Sequence, residues 1–402
     1  MKYDVTVVGA GPAGSTAAKF LSEKGFNVLL LDKEKFPRSK PCGGGLPIRV
    51  LNRFKYVKDK GLIESYSFGG FAHSPSLKYK VELQKNEPIG AMVIRKKFDM
   101  GLVQLAVDNG ADFIDRRAVE DIKISKEKTK IILDDKTELD SEIVVGADGV
   151  WSIVAKKSGL EQIQRKTGMC VFQECNVDEE IIDKLFGKER MCYIHLKFQN
   201  IPGYGWVFPK KQHLNIGIAK LIPSVNIPKT KMNLLNIYRD YIKTLKKTRV
   251  IPENLEIGRC QGGALPVAPL EKTYANRVII VGDAGGLINP ISGEGIYYAM
   301  SSGKIAAQVI SESLETDDAS EKFLSKYQEN WKKDFGKDIE ILLRSTKNLT
   351  IQTEKFLKFV SRDEKLADIA LSILYGEVSI HEYRWKLIRR YLYVYFKDLF
   401  SK

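Results

Sequence analysis

Apolar and polar positions in the first thirty residues follow a regular order. Residues 3–8 form a mostly β-branched run that predicts a strand, residues 13–24 have helical spacing, and residues 27–31 predict a second strand. Glycines separate the first strand from the helix. The pattern therefore predicts a β-α-β unit.

Strand-like alternation returns in two distant stretches of the chain. Aromatic and β-branched residues alternate over residues 68–83 and, more weakly, over residues 171–219, where Pro202-Gly203 marks a turn. Between them, residues 98–109 have helical periodicity, residues 119–133 indicate paired strands and residues 142–145 indicate a buried strand. Two kinds of domain segment therefore interleave along the chain.

The last third of the chain becomes helical. Residues 278–281 predict one more buried strand, and residues 295–314 predict a helix rich in small side chains. From about residue 320 the pattern is helical throughout. Aromatic residues then recur at intervals of four, at Phe323, Tyr327, Trp331 and Phe335.

These patterns predict an α/β protein with a Rossmann-like nucleotide-binding domain, an interleaved antiparallel-sheet substrate domain and a C-terminal helical region. The expected nucleotide-binding segments are residues 1–66, 91–165 and 256–315, the sheet segments are 67–90 and 166–255, and the helical region is 316–402.

Composition narrows the class of protein. The 402 residues are 44% apolar and 28% charged, which excludes disordered, collagen-like and disulfide-stapled classes. The net charge of +14 favours anionic partners such as phospholipid surfaces, nucleotides or nucleic acid. Because no apolar run approaches the roughly 18 residues that a membrane-spanning helix needs, we expect no such helix.

The cysteines and histidines point away from a metal or disulfide framework. Five cysteines are irregularly spaced and include no C-x-x-C pair, so a reducing cytoplasm is the simpler interpretation. The four histidines are scattered without neighbouring acidic or cysteine ligands, and we therefore expect no metal site.

A glycine motif follows the first predicted strand. Gly9, Gly11 and Gly14 form G-x-G-x-x-G between a strand and a helix, where glycines permit a tight turn and let a diphosphate approach the helix N-terminus. Asp32 ends the next strand, where an acidic side chain can accept from the hydroxyls of an adenosine ribose. The motif alone predicts a dinucleotide site and leaves FAD and NAD open.

Two further strand ends carry acidic-glycine elements. Asp148-Gly149 follows the strand at 142–145, and Asp283 follows the strand at 278–281. In these elements the chain resembles the flavoprotein superfamily of p-hydroxybenzoate hydroxylase. The resemblance implies FAD, with Asp283 contacting the ribityl chain and Asp148 bracing the nucleotide site. It also places Gly293, Gly295 and Ile296 near the isoalloxazine, where a helix N-terminus could stabilise anionic reduced flavin.

Within that superfamily the chain resembles the geranylgeranyl reductase family. The resemblance is carried by residues 40–45 (KPCGGG), residues 204–209 (YGWVFP) and Arg95-x-x-Phe98-Asp99, and it spans roughly the first 310 residues. Many archaeal members have Cys-Gly-Glu-Gly in the first segment, whereas this chain has Gly44. A carboxylate role at that position is therefore not transferred, and Glu294 is the candidate in its place.

The resemblance implies a set of site residues. The catalytic candidates are Cys42, Tyr204 and Trp206, with Tyr204, Trp206 and Phe208 alternating on one strand face that would line an isoprenoid tunnel or, alternatively, form plain sheet core. Arg95 is expected to pair with the FAD diphosphate or ribose, the alternative being an exposed arginine at a strand end. The candidates for binding FAD are Gly9, Gly11, Ala13, Gly14, Asp32, Lys33, Cys42, Gly43, Gly45, Arg95, Val119, Asp148, Asp283, Gly293, Gly295 and Ile296.

The implied activity is FAD-dependent reduction of the double bonds of a prenyl chain on a lipid, quinone or pigment precursor. Such a site must exclude water, hold a long apolar chain and supply one weak acid. An aromatic hydroxylase or halogenase of the same superfamily is the alternative enzyme, and a basic binding protein with a degenerate nucleotide fold is the alternative without catalysis. Because no second G-x-G-x-x-G follows a strand, the electron donor stays open between NAD(P)H, a ferredoxin and another small carrier.

Residues 381–402 combine six basic residues with two acidic ones and several aromatic residues. This composition predicts an amphipathic helix that either lies on an anionic bilayer or packs on the protein with a solvated basic face. We expect a cytoplasmic protein that can sit peripherally on the inner face of the membrane. Nucleic acid is not an expected partner, because the chain contains no recognisable nucleic-acid-binding module.

Overall fold

A computed structural model describes residues 2–161, 166–221 and 233–400, with the side chains of 347–351 excepted. Residues 162–165, 222–232 and 401–402, which the predicted domain ranges include, lie outside the described residues, and so does Lys402 of the basic stretch.

The strands and helices alternate through the first two thirds of the chain, and helices dominate the last third. The strands are β1 (Lys2–Val8), β2 (Val28–Leu31), β3 (Gly45–Pro47), β4 (Ser65–Ser67), β5 (Gly69–His73), β6 (Lys80–Gln84), β7 (Gly90–Met92), β8 (Asp112–Ile114), β9 (Val119–Ile124), β10 (Thr129–Leu133), β11 (Glu138–Gly146), β12 (Thr167–Asn176), β13 (Cys192–Leu196), β14 (Gly203–Pro209), β15 (His213–Lys220), β16 (Gln261–Pro266), β17 (Tyr274–Ala275) and β18 (Val278–Ile280). The helices are α1 (Pro12–Ser22), α2 (Ile48–Arg53), α3 (Tyr56–Asp59), α4 (Arg95–Asp108), α5 (Ile153–Lys157), α6 (Glu179–Phe186), α7 (Leu234–Lys247), α8 (Ile296–Glu315), α9 (Glu321–Trp331), α10 (Lys337–Val360), α11 (Glu364–Leu374) and α12 (Ile380–Phe400).

The predicted β-α-β unit forms the centre of an eight-stranded sheet. Its main path runs β17-β18-β11-β1-β2-β8, with β1 parallel to both β11 and β2. The hairpin β9–β10 extends it by pairing β10 antiparallel to β11. All four residues of β2 are buried, as expected for a strand covered on both faces.

Helices α1, α8 and α9 cover one face of this sheet. Gly303 on α8 allows the close approach of α1, because a Cβ there would lie 2.3 Å from the Ala13 carbonyl oxygen. On α9, Tyr327 donates a hydrogen bond to the Ile280 carbonyl at 3.0 Å, and Trp331 donates to Thr273 Oγ1 at 3.0 Å. The aromatic residues four apart therefore pack α9 into the nucleotide-binding domain rather than into a separate helical unit.

A second sheet of seven strands has the order β16-β12-β15-β14-β13-β5-β6. It is largely antiparallel as predicted, but β13 pairs with β5 in parallel. Parallel pairing is possible here because a long excursion of the chain separates the two strands. Strand β16 lies within the range 256–315 that was expected to belong to the nucleotide-binding domain, and it pairs with β12 in this sheet.

Helix α7 covers one face of the seven-stranded sheet. Its Tyr238, Tyr241 and Leu245 are fully buried. Gly205 on β14 makes room for Tyr241, since a Cβ there would lie 2.5 Å from the tyrosine ring. The opposite face of this sheet lines the candidate functional site.

A third, small sheet has the order β3-β7-β4, and α10–α12 pack beside β6. Among the helices described, none is both long enough and apolar enough to cross a bilayer.

Candidate functional site

One cavity of about 670 Å³ lies between the two large sheets. Its wall includes the carboxyl ends of β1, β2, β11 and β18, which is where open α/β sheets bind ligands. The seven-stranded sheet supplies the other wall. This volume falls within the range of roughly 300–1,000 Å³ that small-molecule and cofactor sites occupy.

The first glycine turn lies at one end of the cavity. Gly9 has a φ of +106°, and a Cβ there would lie 2.4 Å from the Ala147 carbonyl oxygen, so only glycine fits. Gly9, Gly11 and Ala13 line the cavity, while Gly14 does not. Gly14 instead lets the first turn of α1 fold closely against the glycine turn, because a Cβ there would lie 1.9 Å from the Gly9 carbonyl oxygen. The N-terminus of α1 thereby faces the cavity as an anion-binding surface.

Asp32 holds this turn in place from the end of β2. Its carboxylate accepts hydrogen bonds from the Ala10 amide at 2.8 Å and the Glu34 amide at 2.9 Å. It also lines the cavity. Lys33 and Val119 line the same end. Further cations there are Arg38, Lys40 and Arg117.

Arg95 reaches the cavity as a paired cation. Its guanidinium donates two hydrogen bonds to the buried Asp99 carboxylate, both at 2.7 Å, and Arg38 Nη1 approaches the same carboxylate at 2.9 Å. Burial acts to lower the pKa of Arg95, but the Asp99 charge and contact with Cys42 raise it overall. The protein therefore supplies Arg95 with a bidentate partner of its own, beside any contact with a bound diphosphate or ribose.

The two acidic-glycine elements adopt different local structures. Asp148 accepts from Ser152 Oγ at 2.5 Å and from the Ile153 amide at 2.7 Å, so it caps α5 and braces the turn at Gly149. Burial raises the pKa of Asp148, and these hydrogen bonds oppose that rise. Asp283 lies in the turn that follows β18, and a Cβ at Gly295 would lie 3.3 Å from its Oδ1. Asp283 therefore faces the loop that leads into α8.

The loop at residues 293–296 lies on the cavity wall together with Asp283. Gly293 has a φ of +68°, and Gly295 and Ile296 open the 20-residue helix α8. Glu294 is partly buried beside them, with its Oε1 accepting from the Tyr297 amide at 2.7 Å and its Oε2 at 3.8 Å from Arg49. Burial raises the pKa of Glu294, and Arg49 opposes that rise.

The triple-glycine segment forms the middle of the cavity wall. The Cys42 thiol accepts a hydrogen bond from the Gly44 amide at 3.3 Å. Gly44 has a φ of +76°, and a Cβ there would lie 2.2 Å from the Val93 carbonyl oxygen. At Gly43 a Cβ would lie 2.9 Å from the Phe208 ring. The glycines, including Gly45 on the same wall, bring the backbone close to the aromatic strand.

The aromatic residues of β14 face this segment. The ring centroids of Tyr204 and Trp206 are 5.7 Å apart, and those of Trp206 and Phe208 are 6.1 Å apart. All three line the cavity. The Tyr204 hydroxyl donates to the carbonyl of Ser292, the residue before the 293–296 loop, and burial raises the pKa of Tyr204, so the hydroxyl stays protonated.

Asn215 is a residue that the sequence analysis missed. Its Oδ1 accepts from Trp206 Nε1 at 2.7 Å, and its Nδ2 donates to the Cys42 carbonyl at 3.2 Å and to Glu174 Oε2 at 2.9 Å. The fully buried Lys210 donates to the same Glu174 oxygen at 2.8 Å. A lone asparagine within the apolar strand HLNIGIAK was the only available signal. Asn215 joins the catalytic candidates Cys42 and Trp206 into one network.

The cavity wall fits a dinucleotide such as FAD. At the sheet end it combines glycine backbone at Gly9 and Gly149, helix N-termini, an acidic side chain and several cations. The other end is lined by aromatic and aliphatic side chains. Within the described residues, no group of three or more His, Cys, Asp or Glu side chains is arranged to hold a metal ion.

Comparisons of the sequence with known proteins identify an FAD-binding family and similar reductases. A family model described as an FAD binding domain matches residues 2–338. Digeranylgeranylglycerophospholipid reductase of Methanococcus aeolicus is 30% identical over 408 residues, covering 99% of this chain and 98% of that protein. Digeranylgeranylglycerophospholipid reductase 1 of Methanopyrus kandleri is 30% identical over 384 residues, covering 92% of this chain and 96% of that protein.

Solved structures share the fold at lower identity. A geranylgeranyl bacteriochlorophyll reductase-like protein from Thermoplasma acidophilum superposes with a TM-score of 0.80 at 24% identity, covering 97% of this chain and 99% of that chain. A flavin-dependent brominase superposes with a TM-score of 0.72 at 20% identity, covering both chains fully. At these identities the likeness shows the fold alone.

Proposed function

The chain belongs to the geranylgeranyl reductase family of FAD-binding flavoproteins, and from this premise we propose that it reduces the C=C bonds of a prenyl chain on a lipid or related isoprenoid. The observation that carries the proposal is a cavity that combines a dinucleotide cradle with an aromatic and aliphatic arm. The chain is an FAD-dependent oxidoreductase by family, and the apolar arm supports a long hydrocarbon substrate. The reductases similar in sequence act, by name, on digeranylgeranylglycerophospholipid.

Bound FAD, once reduced, supplies the hydride that such a reaction needs. The residues of this chain orient the substrate and exclude water. Trp206 and Phe208 present flat apolar surface along the arm, and Asn215 fixes the indole of Trp206. Glu294, whose pKa burial raises, is the candidate weak acid on the cavity wall.

The electron donor is proposed to be an external one, either NAD(P)H or a small carrier protein such as a ferredoxin. The cavity carries one G-x-G-x-x-G turn, which the proposal assigns to FAD. A donor therefore has to reach the site transiently. Rapid-mixing reduction of the holoprotein with NADH, NADPH or reduced ferredoxin would compare the three.

The proposed reaction is tested anaerobically with dithionite-reduced holoprotein and a geranylgeranyl glycerophospholipid. We expect flavin reoxidation that depends on the lipid, with product mass rising by two hydrogens per saturated bond. A fully saturated analogue of the same lipid is the control and should leave the flavin reduced. Absence of alkene turnover, together with oxygen-dependent modification of an aromatic substrate, would instead favour a hydroxylase or halogenase.

We further propose that α12 rests on an anionic bilayer and brings the lipid to the cavity. Trp385, Phe396 and Leu399 are 58%, 50% and 56% exposed, while Val394 packs inward on the same helix. The helix is also rich in Arg and Lys, which favour anionic headgroups. Arg390 on this helix pairs with Asp363, the residue that caps α11, so α12 is fixed to the protein through α11.

The membrane proposal predicts vesicle binding that depends on charge and on the exposed aromatic residues. Holoprotein should sediment with phosphatidylglycerol vesicles, less so with phosphatidylcholine vesicles, and high salt should weaken binding. The double variant Trp385→Ser/Phe396→Ser should lose binding by about tenfold or more, because each residue buries large apolar area. Ile181→Ser, which removes an exposed apolar side chain on α6, is the control and should bind normally. Equal binding by the double variant and the parent would exclude α12 as the contact surface.

A further inference from the structure

The apolar arm of the cavity ends far from the dinucleotide cradle. From β14 it crosses to Cys192 and Ile194 on β13 and reaches Leu374 and Tyr375 at the C-terminus of α11. Neighbouring strands in a sheet lie about 4.8 Å apart, so two strand spacings, from β14 to β5, amount to roughly 10 Å. The arm therefore continues for only a short distance beyond the aromatic strand.

Tyr375 occupies the end of this arm in a defined position. Its hydroxyl lies 3.4 Å from the Phe71 carbonyl oxygen and 3.5 Å from the Cys192 carbonyl oxygen, which share its one proton. Gly70 on β5 leaves space for it, because a Cβ there would lie 2.1 Å from the tyrosine oxygen. Any larger residue at position 70 would displace the phenol from the sheet.

The residues around Tyr375 hold it against movement. Gly376 has a φ of +71°, which turns the chain away from α11. A Cβ at Gly376 would lie 3.2 Å from Pro47, so the turn packs against β3. Tyr375 packs against a hydrophobic cluster that includes residues of β6 and the fully buried Leu366 and Leu371 of α11. The end of the arm is therefore a packed wall.

We propose that Tyr375 closes the apolar arm and limits how long a hydrocarbon chain can extend past the site of reduction. This inference deepens the proposed function, because it assigns the chain-length specificity of the same cavity. A chain whose terminal segment exceeds the space before Tyr375 has to fold back or leave methylenes in water, which costs binding free energy.

The test measures binding to oxidised holoprotein without turnover. The probes are saturated n-alkyl phosphates of increasing chain length, followed by perturbation of the flavin absorbance. Affinity should rise by about fourfold per added methylene while the chain enters the arm, and then stop rising at a limiting length. Tyr375→Ala should move that limit to longer chains, whereas Tyr375→Phe, which keeps the ring, should leave it unchanged.

Two further variants secure the result. Tyr375→Leu fills part of the space that the phenol occupies and should also move the limiting chain length to longer alkyl phosphates. It replaces the alanine variant in the test if that variant does not fold. Ile194→Phe, which adds volume on the adjacent strand, should shorten it. An unchanged limit in both the alanine and leucine variants, or in the leucine variant alone where alanine is unfolded, would overturn the assignment of Tyr375.

The binding series also separates this inference from the proposed function. If the limiting chain length changes in the Tyr375 variants but the protein reduces no prenyl lipid, the assignment of Tyr375 stands and the reductase activity is rejected. If the parent protein reduces a prenyl lipid but the limiting chain length is the same in the Tyr375 variants, the reductase activity stands and the assignment of Tyr375 is rejected.

Discussion

Asp283→Ala is expected to purify without FAD. Asp283 lies on the cavity wall in the turn after β18, close to the loop that opens α8. A carboxylate that accepts hydrogen bonds from a ligand contributes about 1.5–3 kcal/mol per bond, so losing one or two should weaken FAD binding by about tenfold or more. The measurement is flavin absorbance per protein after purification, followed by titration of the apoprotein with FAD.

The control for this prediction is Asp363→Ala. Asp363 caps α11 through the Leu366 amide at 2.8 Å and pairs with Arg390, outside the cavity wall. Its loss should lower stability modestly, by about 1 kcal/mol, and leave FAD bound. Comparing the two aspartates separates a specific cofactor contact from general destabilisation. A fully flavinated Asp283→Ala protein would remove Asp283 from the cofactor site.

The dinucleotide end of the site could be read from the sequence because its requirements are local. Gly14 must be glycine because a Cβ there would meet the carbonyl oxygen of Gly9 in the turn just before it, and Gly9 itself has a φ of +106°. The order of strand, glycine turn and helix is visible as a pattern of side-chain types. Asp32 belongs to the same β-α-β unit, and its carboxylate accepts a hydrogen bond from Ala10 in the glycine turn.

The helix containing Arg95 shows how a small boundary error hides an interaction. The periodicity predicts a helix over 98–109, whereas α4 begins at Arg95. With Arg95 inside the helix, Arg95 and Asp99 are four residues apart and can form the observed bidentate pair. The pairing could not be predicted from a helix that begins at residue 98, because Arg95 then lies outside the helix.

The apolar end of the site could not be read in the same way. Asn215 contacts the Cys42 carbonyl across 173 positions of sequence, and Tyr375 contacts the Phe71 carbonyl across 304. Such contacts depend on how the two sheets and the C-terminal helices pack together. The sequence identifies the aromatic strand, but only the packed structure shows what stops the cavity beyond it.

Gly217→Ala is expected to retain FAD and lose most prenyl reduction. Gly217 on β15 pairs with Trp206 on β14, and a Cβ there would lie 2.1 Å from the indole ring. The indole is 4% exposed, hydrogen-bonded to Asn215 and packed between Tyr204 and Phe208, so it can yield only by shifting within the site. Overpacking of this kind costs about 1–3 kcal/mol of stability.

The activity loss in Gly217→Ala should exceed the stability loss, because a displacement of about 1 Å can reduce a rate by about 100-fold. The measurements are flavin content, thermal unfolding and turnover of a geranylgeranyl glycerophospholipid. Gly262→Ala on β16 of the same sheet is the matched control, since a Cβ there would lie at an ordinary 3.5 Å from the Cys170 carbonyl oxygen. The double variant Gly217→Ala/Trp206→Phe removes the clash and should recover stability without restoring full turnover. Normal turnover by Gly217→Ala, with the indole displaced, would show that Trp206 does not orient the substrate.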